Sequence, residues 1–280
     1  MKNPIEKRVL TVVLSGVIAA LTLMLAGCCD ECNDPFVADY PPAAPTGLYS
    51  ITGDARVDIY WNANTEPDLE GYDILWSYTA EDDPEYLVSV PRHATGFVDE
   101  DVDNGVTYYY VIRAYDRAGQ QSEESIQIHD TPRPAGTDLN LYDYLGQNEG
   151  WSGYDFSAYA VQPADLATTD VYFGSPSGVP TLFGYGSSVG DGVDVQDYGF
   201  GELDIVDWAP EILDGWAPSK SVEMIRGHSY VVQILDASGY YYYAKVFCRT
   251  VSNDLVVLDW AYQLARGNPE LSPGQGAKKR

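Results

Sequence analysis

The chain has 280 residues, with 16 lysines and arginines against 42 aspartates and glutamates, for a formal charge of −26. With 45% hydrophobic and 21% charged residues it is too apolar for a disordered polymer and long enough for two cores of ordinary size. A phosphate backbone or an anionic headgroup layer needs a basic surface to displace its counterions, so the acidity counts against nucleic acid and against peripheral docking on anionic lipid.

The N-terminus carries Lys2, Lys7 and Arg8, followed by an uncharged apolar run from Val9 to Leu25. That run is shorter than the roughly 20 residues of a spanning helix and suits the core of a signal peptide at 1–27. Leu25-Ala26-Gly27-Cys28 resembles the lipobox of bacterial lipoproteins. The resemblance implies diacylglycerol on the Cys28 thiol, cleavage before it, acylation of the new N-terminus and a chain anchored in the bacterial cell envelope, at the outer membrane. Cleavage would remove three positive charges and one negative, leaving −28. Cys29 follows Cys28, so the aspartate that retains enterobacterial lipoproteins in the inner membrane is absent, and Asp30-Glu31 loosely resemble an acidic surface-export signal. Cys29 and Cys32 make a C-x-x-C without a βαβ pattern around it, which favours a local disulfide or idle thiols over redox chemistry. Residues 28–44 are acidic and Pro-rich without periodicity and read as a flexible tether.

From residue 45 to residue 131 short alternating strands lie between turn residues. Val57, Ile59 and Trp61 share one strand face, Tyr72, Ile74 and Trp76 another, and Tyr108, Tyr110, Ile112 and Ala114 a third. Pro45-Thr46-Gly47-Leu48, Trp61, the segment from Asn64 to Tyr72 and the run from Gly105 to Ala114 with Tyr108 at its corner resemble a fibronectin type III domain. The resemblance implies a seven-stranded Ig-like sandwich serving as spacer or binding module. No Arg-Gly-Asp triplet supports integrin binding.

Residues 132–137 read as a Pro-rich linker, 138–271 as a second domain, and 272–280 as a disordered tail. Strand-like runs fall at Gly153–Tyr159, Asp170–Phe173, Thr181–Tyr185, Ser229–Leu235, Tyr240–Val251 and Leu255–Leu264, with a turn of helix near Asp207–Leu213. The fold class is therefore all-β, a fibronectin type III sandwich followed by a second antiparallel β domain. From residue 134 to residue 219 there is no lysine or arginine but there are fourteen acidic residues. A neutral or cationic partner fits that surface.

Four constellations in the second domain bear on chemistry. Gly186-Ser187-Ser188-Val189-Gly190 is formally G-x-S-x-G, with Asp207 and His228 downstream, but neither the helix nor the βαβ context of a nucleophile elbow surrounds it. The acidic series Asp191, Asp194, Asp197, Glu202, Asp204 and Asp207 would suit calcium, a solvated loop, or a carboxylate pair of a polysaccharide hydrolase such as Glu202 with Asp204. Its spacing matches no EF-hand loop, and Asp191, Asp194 and Asp197 are the metal-ligand candidates. His228 is the one histidine of this domain. The aromatic set places Trp151, Tyr240 and Tyr242 as platforms for a sugar, a peptide or a porphyrin. Cys248 reads as a buried strand thiol.

Segments Trp151–Ser157, Thr169–Phe173, Ser229–Gln233, Tyr243–Val246 and Leu258–Gln263 resemble the HmuY-like haem-binding lipoproteins. That likeness implies a β-rich fold and capture of haem or porphyrin. The family ligates iron through two histidines, whereas this domain has only His228, with Met224 the remaining axial candidate. The sequence thus points to a lipid-anchored, non-catalytic envelope protein that binds polysaccharide, protein or porphyrin. Calcium and haem are the cofactors it raises. A haem- or metal-scavenging lipoprotein and a secreted polysaccharide hydrolase are the alternatives.

Overall fold

Alternation of apolar and polar residues builds the first seven strands: β1 (Thr46–Gly53), β2 (Arg56–Asn62), β3 (Leu69–Ser77), β4 (Glu85–Pro91), β5 (Gly96–Asp99), β6 (Tyr108–Asp116) and β7 (Ile128–Asp130). They come from a computed structural model that describes residues 40–186 and 188–272. The signal segment, Cys28 and most of the tether lie outside the described residues. All pairings are antiparallel, and the strands form two sheets, β1-β2-β5 and β4-β3-β6-β7. Val57, Ile59, Tyr72, Ile74, Tyr110, Ile112 and Ala114 fill the space between them, with Trp61 set edge-on to Tyr72 at 5.4 Å between centroids. The Tyr108 hydroxyl accepts the backbone N–H of Asp103 at 2.9 Å, five residues upstream, which is the tyrosine corner of Ig-like sandwiches. The three-plus-four order and this corner make the first module a fibronectin type III-like sandwich, as its sequence resemblance implies. Trp76 keeps the expected face at the rim of the core, opposite Tyr110 and half-buried against Tyr78 and Tyr108, while Leu75 is buried on the other face opposite Val111.

The second module is also all-β and antiparallel. Its strands are β8 (Ala135–Tyr142), β9 (Gly153–Asp155), β10 (Ala160–Gln162), β11 (Val171–Gly174), β12 (Thr181–Gly184), β13 (Val193–Phe200), β14 (Ser221–Glu223), β15 (His228–Leu235), β16 (Tyr241–Val251) and β17 (Leu255–Gln263). One sheet runs β13-β15-β16-β17-β8 and the other β10-β9-β11-β12-β14. Phe156, Phe173 and Leu182 from one side meet Tyr230, Val232, Val246 and Leu258 from the other. A smaller cluster of Val206, Ala209, Trp216 and Leu271 covers the opposite face of the first sheet at Val231 and Tyr243. Covered on both faces, β15 is buried from Ser229 to Ile234, and its sequence reads as a continuous apolar run rather than an alternating one.

Two expectations about connections change. The stretch read as a linker is buried from Asp130 to Pro134, and β8 begins at Ala135. Its peptide groups are spoken for. Pro132 O accepts Gly105 N–H at 2.8 Å, Arg133 N–H donates to Gly53 O at 3.1 Å, and Pro134 O accepts Tyr262 N–H at 2.9 Å. Arg133, 2% exposed, donates through Nη1 to Glu270 O at 3.1 Å. The last residues assigned to the tether are likewise fixed: Ala43 donates its N–H to Glu66 and accepts from the Asn64 side chain, while Pro42 is buried. From Pro41 onward the described residues form one compact unit.

Candidate functional site

A cleft of about 630 Å³ opens at one end of the second module, between its two sheets. Asp155 closes β9, and its Oδ1 accepts Ser157 N–H at 2.9 Å, the Ser157 hydroxyl at 2.7 Å and Ala158 N–H at 3.0 Å. That turn of self-solvating aspartate reverses the chain toward β10. Asp170 enters β11 one step beyond the Val171–Tyr154 register pair, which sets it opposite Asp155. Its Oδ2 accepts Phe156 N–H at 2.8 Å. Burial raises the Asp170 carboxyl to about 7, and the negative charge of Asp155 adds to the rise while the Phe156 amide opposes it.

The other walls are apolar and aromatic. Tyr262 from β17 and Tyr242 from β16 lie 6.1 Å apart between centroids, and Phe156 stacks behind Tyr262 at 5.8 Å. Burial raises the Tyr262 hydroxyl, and Asp170 is the next contributor, so that phenol stays neutral. Tyr185, Ile234 and Leu264 complete the walls, with Asp236 at the hairpin end. Among the described lining residues there is no lysine, arginine or histidine. Arg266 stands near the mouth, but its Nε donates to the Tyr242 hydroxyl at 3.0 Å and its guanidinium lies 4.6 Å over the Tyr240 ring.

Of the residues singled out from the sequence, Tyr242 lines this cleft and Tyr240 carries Arg266 beside it, 47% exposed. Trp151 stands elsewhere, 62% exposed in the 3-10 turn Glu149–Trp151. His228 opens β15 with Nδ1 3.1 Å from both Asp197 oxygens and Phe200 set edge-on to its ring. Tyr262 belongs to the wider aromatic set of the sequence, whereas Asp155 and Asp170 are not among its candidates. The signal that could have found the two aspartates is their place at the ends of adjacent strands in the Gly153–Phe173 segment.

The acidic series does not converge on a metal. Asp194 is fully buried in β13 and pairs with buried Lys220 at 2.9 Å, and its Oδ2 accepts Gly190 N–H at 2.8 Å and the Gln233 amide at 3.1 Å. Asp197, three residues along the strand, belongs to His228, while the Asp191 carbonyl accepts from Lys220 Nζ. Asp207 accepts the Tyr198 hydroxyl at 2.6 Å. Among the described residues no three His, Cys, Asp or Glu side chains are grouped as a metal site. The candidate set Asp191, Asp194 and Asp197 is therefore corrected: alternation along β13 and separate partners, Lys220 and His228, hold Asp194 and Asp197 apart. Glu202 faces a different cavity with Arg226 and Arg249, and Asp204 sits in the 3-10 turn Leu203–Ile205.

Haem ligation by His228 with Met224 does not fit. Met224 is buried in the core between the sheets, and His228 is held by Asp197 at the strand edge. The Ser–Asp–His order is not assembled either, since Asp207 serves Tyr198 and His228 serves Asp197. Burial raises the Cys248 thiol to about 12, consistent with its expected packing role.

No family model matches the chain, and no curated protein matches it. Solved structures do. The Clostridium perfringens spore cortex lytic enzyme SleM is similar at 27% identity over 34% of this chain and 30% of that one, with a TM-score of 0.29. An Fn3-like protein from Clostridium thermocellum is 24% identical over 34% of this chain and 98% of its own, at 0.29. A beta-1,2-glucanase from Parabacteroides distasonis is 22% identical over 35% of this chain and 14% of its own, at 0.30. The matched portion is thus under a third of each of the two enzymes.

Proposed function

We propose that the chain is a lipid-anchored, non-catalytic binding protein of the bacterial cell envelope. In this reading the sandwich holds the second module away from the membrane, and the cleft receives the ligand. The cleft carries the reading. It is concave, walled by Tyr242, Tyr262, Ile234 and Leu264, and furnished with two fixed carboxyls, which is how small-molecule sites are built. Asp155 is locked by three donors and Asp170 by one, so the polar groups are oriented before any ligand arrives. The positively charged start of the chain, its apolar run and Cys28 support the anchor.

Two measurements test the two parts. Cells expressing the chain should incorporate labelled palmitate, and Cys28→Ser should abolish the label. Retained labelling would remove the anchor from the reading. For binding, a panel of saccharides, peptides, amines and haemin is screened by thermal shift against the wild type and Ala167→Trp, which places an indole across the cleft mouth. A ligand that raises the melting temperature only in the wild type supports the cleft. A panel without any such ligand defeats it.

A further inference from the structure

We propose that the cleft takes an organic cation, a molecule that sets an ammonium group against Asp155 and Asp170 and lays its apolar body on Tyr242 and Tyr262. The assignment rests on the binding reading above and names its ligand class. Elsewhere this module gives its buried carboxylates a cation. Asp194 is given Lys220 at 2.9 Å, and Asp259 is given Arg249 at 2.6 Å. Leaving a buried carboxylate without a cation is expensive, and these pairings show how the fold avoids it. Asp155 and Asp170 receive none. Among the described residues no ion pair reaches either, and only backbone amides and the Ser157 hydroxyl donate to them. Two carboxyls opposite one another in a desolvated pocket make a site of negative potential whose counter-charge must come from outside.

The aromatic walls fit the same ligand. A ring face attracts a cation, and desolvation strengthens the attraction. The neighbouring hairpin already uses this contact, with Arg266 held 4.6 Å over Tyr240. A neutral saccharide would also stack on Tyr242 and Tyr262, but it would leave the negative charge of the cleft uncompensated. An anion meets Asp155, Asp170 and Asp236 together. The groups that share the cleft with Asp170 are Asp155 on β9, Tyr242 on β16, Tyr262 on β17, Tyr185 after β12 and Asp236 at the end of β15. None of these supplies positive charge, and Arg266 at the mouth is held by the Tyr242 hydroxyl and the Tyr240 ring rather than by either carboxyl. A bound cation would therefore favour the ionised Asp170, so binding releases a proton at neutral pH.

The test is isothermal titration of the full chain in detergent with choline and spermidine as cationic probes and cellobiose as the neutral one. At least one cationic probe should bind, with a heat that differs between phosphate and Tris at one pH. Its affinity should rise about tenfold from pH 6 to pH 8, following ionisation of a carboxyl near 7. Asp170→Asn should weaken binding at least about tenfold and flatten the pH dependence. Circular dichroism checks that this variant folds, and Tyr242→Ala at the wall is the second variant should it not. Binding of cellobiose that Ala167→Trp blocks, with both amines silent, overturns the cation assignment and leaves the binding reading standing. Silence of every probe overturns the cation assignment as well. The wider ligand panel then decides the binding reading separately.

Discussion

At the scale of single residues, the acidic segment shows how far a charge count can mislead. Read along the chain, residues 134–219 hold fourteen acids and no lysine or arginine, which looks like an open invitation to a metal. Folding brings partners from later in the chain: Lys220 to Asp194, His228 to Asp197, Arg249 to Asp138 at 3.8 Å. Sequence reveals charges but not partners across a sheet, so these pairings were illegible, whereas the tyrosine corner at Tyr108 was legible because its spacing is local. The Lys220–Asp194 pair also closes a loop, since Lys220 Nζ donates to Asp191 O and to Val193 O at 3.0 Å. Removing one partner strands a charge in a buried site. Lys220→Met should cost about 3–5 kcal/mol, read from the denaturant midpoint, whereas Lys220→Met with Asp194→Leu should recover much of it. A single-variant loss below about 1 kcal/mol would mean that solvent already reaches the pair.

At the scale of elements, strands were legible where one face alone is buried, as in β2 and β6, or where a run is apolar throughout, as in β15 and β17. Two of the missed ones, β13 and β8, are hidden by their composition. β13 carries Asp194 and Asp197 in place of apolar residues, and it is a strand through its ladder with β15, with Lys220 and His228 meeting the two carboxylates. β8 follows two prolines and opens with Ala135-Gly136, a composition of linkers. Gly136 is there because the Trp260 indole lies 2.6 Å from where a Cβ would stand. The cleft was half legible: its tyrosine on β16 stood out, while Asp155 and Asp170 depend on the β9–β11 register. The junction between the modules yields a direct test. A flexible linker tolerates a few added residues at a cost of a few tenths of a kcal/mol. Here, Gly-Gly-Ser inserted between Pro132 and Arg133 separates the bond to Gly105 from the bond to Gly53. The melting temperature should fall by several degrees, corresponding to about 1–3 kcal/mol. An unchanged melting curve would restore the linker reading.

At the scale of the whole molecule, two buried groups set opposite pH dependences, and the sign of each follows from its folded state. Asp170 is raised to about 7, so the folded protein binds a proton that the unfolded chain has already released at that pH. Stability from this group falls as pH climbs from its ordinary value near 4 toward 7, and is level above. Lys245 is the reverse. Burial beside the Arg133 charge lowers it to about 7, and its Nζ is left with Val206 O at 3.3 Å and the Ser272 hydroxyl at 2.5 Å. Below 7 the folded state bears the full cost of a buried ammonium; between 7 and about 10.5 the unfolded chain holds a proton that the folded one has lost, so stability rises with pH. The two windows meet near neutrality and barely overlap, which lets them be separated. Urea midpoints from pH 4.5 to 9.5 should show a shallow minimum close to pH 7. Asp170→Asn should lessen the acid-side decline, to which the raised Asp130 and His129 also contribute, and leave the alkaline rise, whereas Lys245→Met should lessen that rise, each by a few kcal/mol at most. Because Lys245 sits beside Arg133 at the junction while Asp170 lies in the cleft, a variant that flattened both limbs together would show that the two regions titrate through one shared rearrangement rather than from separate local causes.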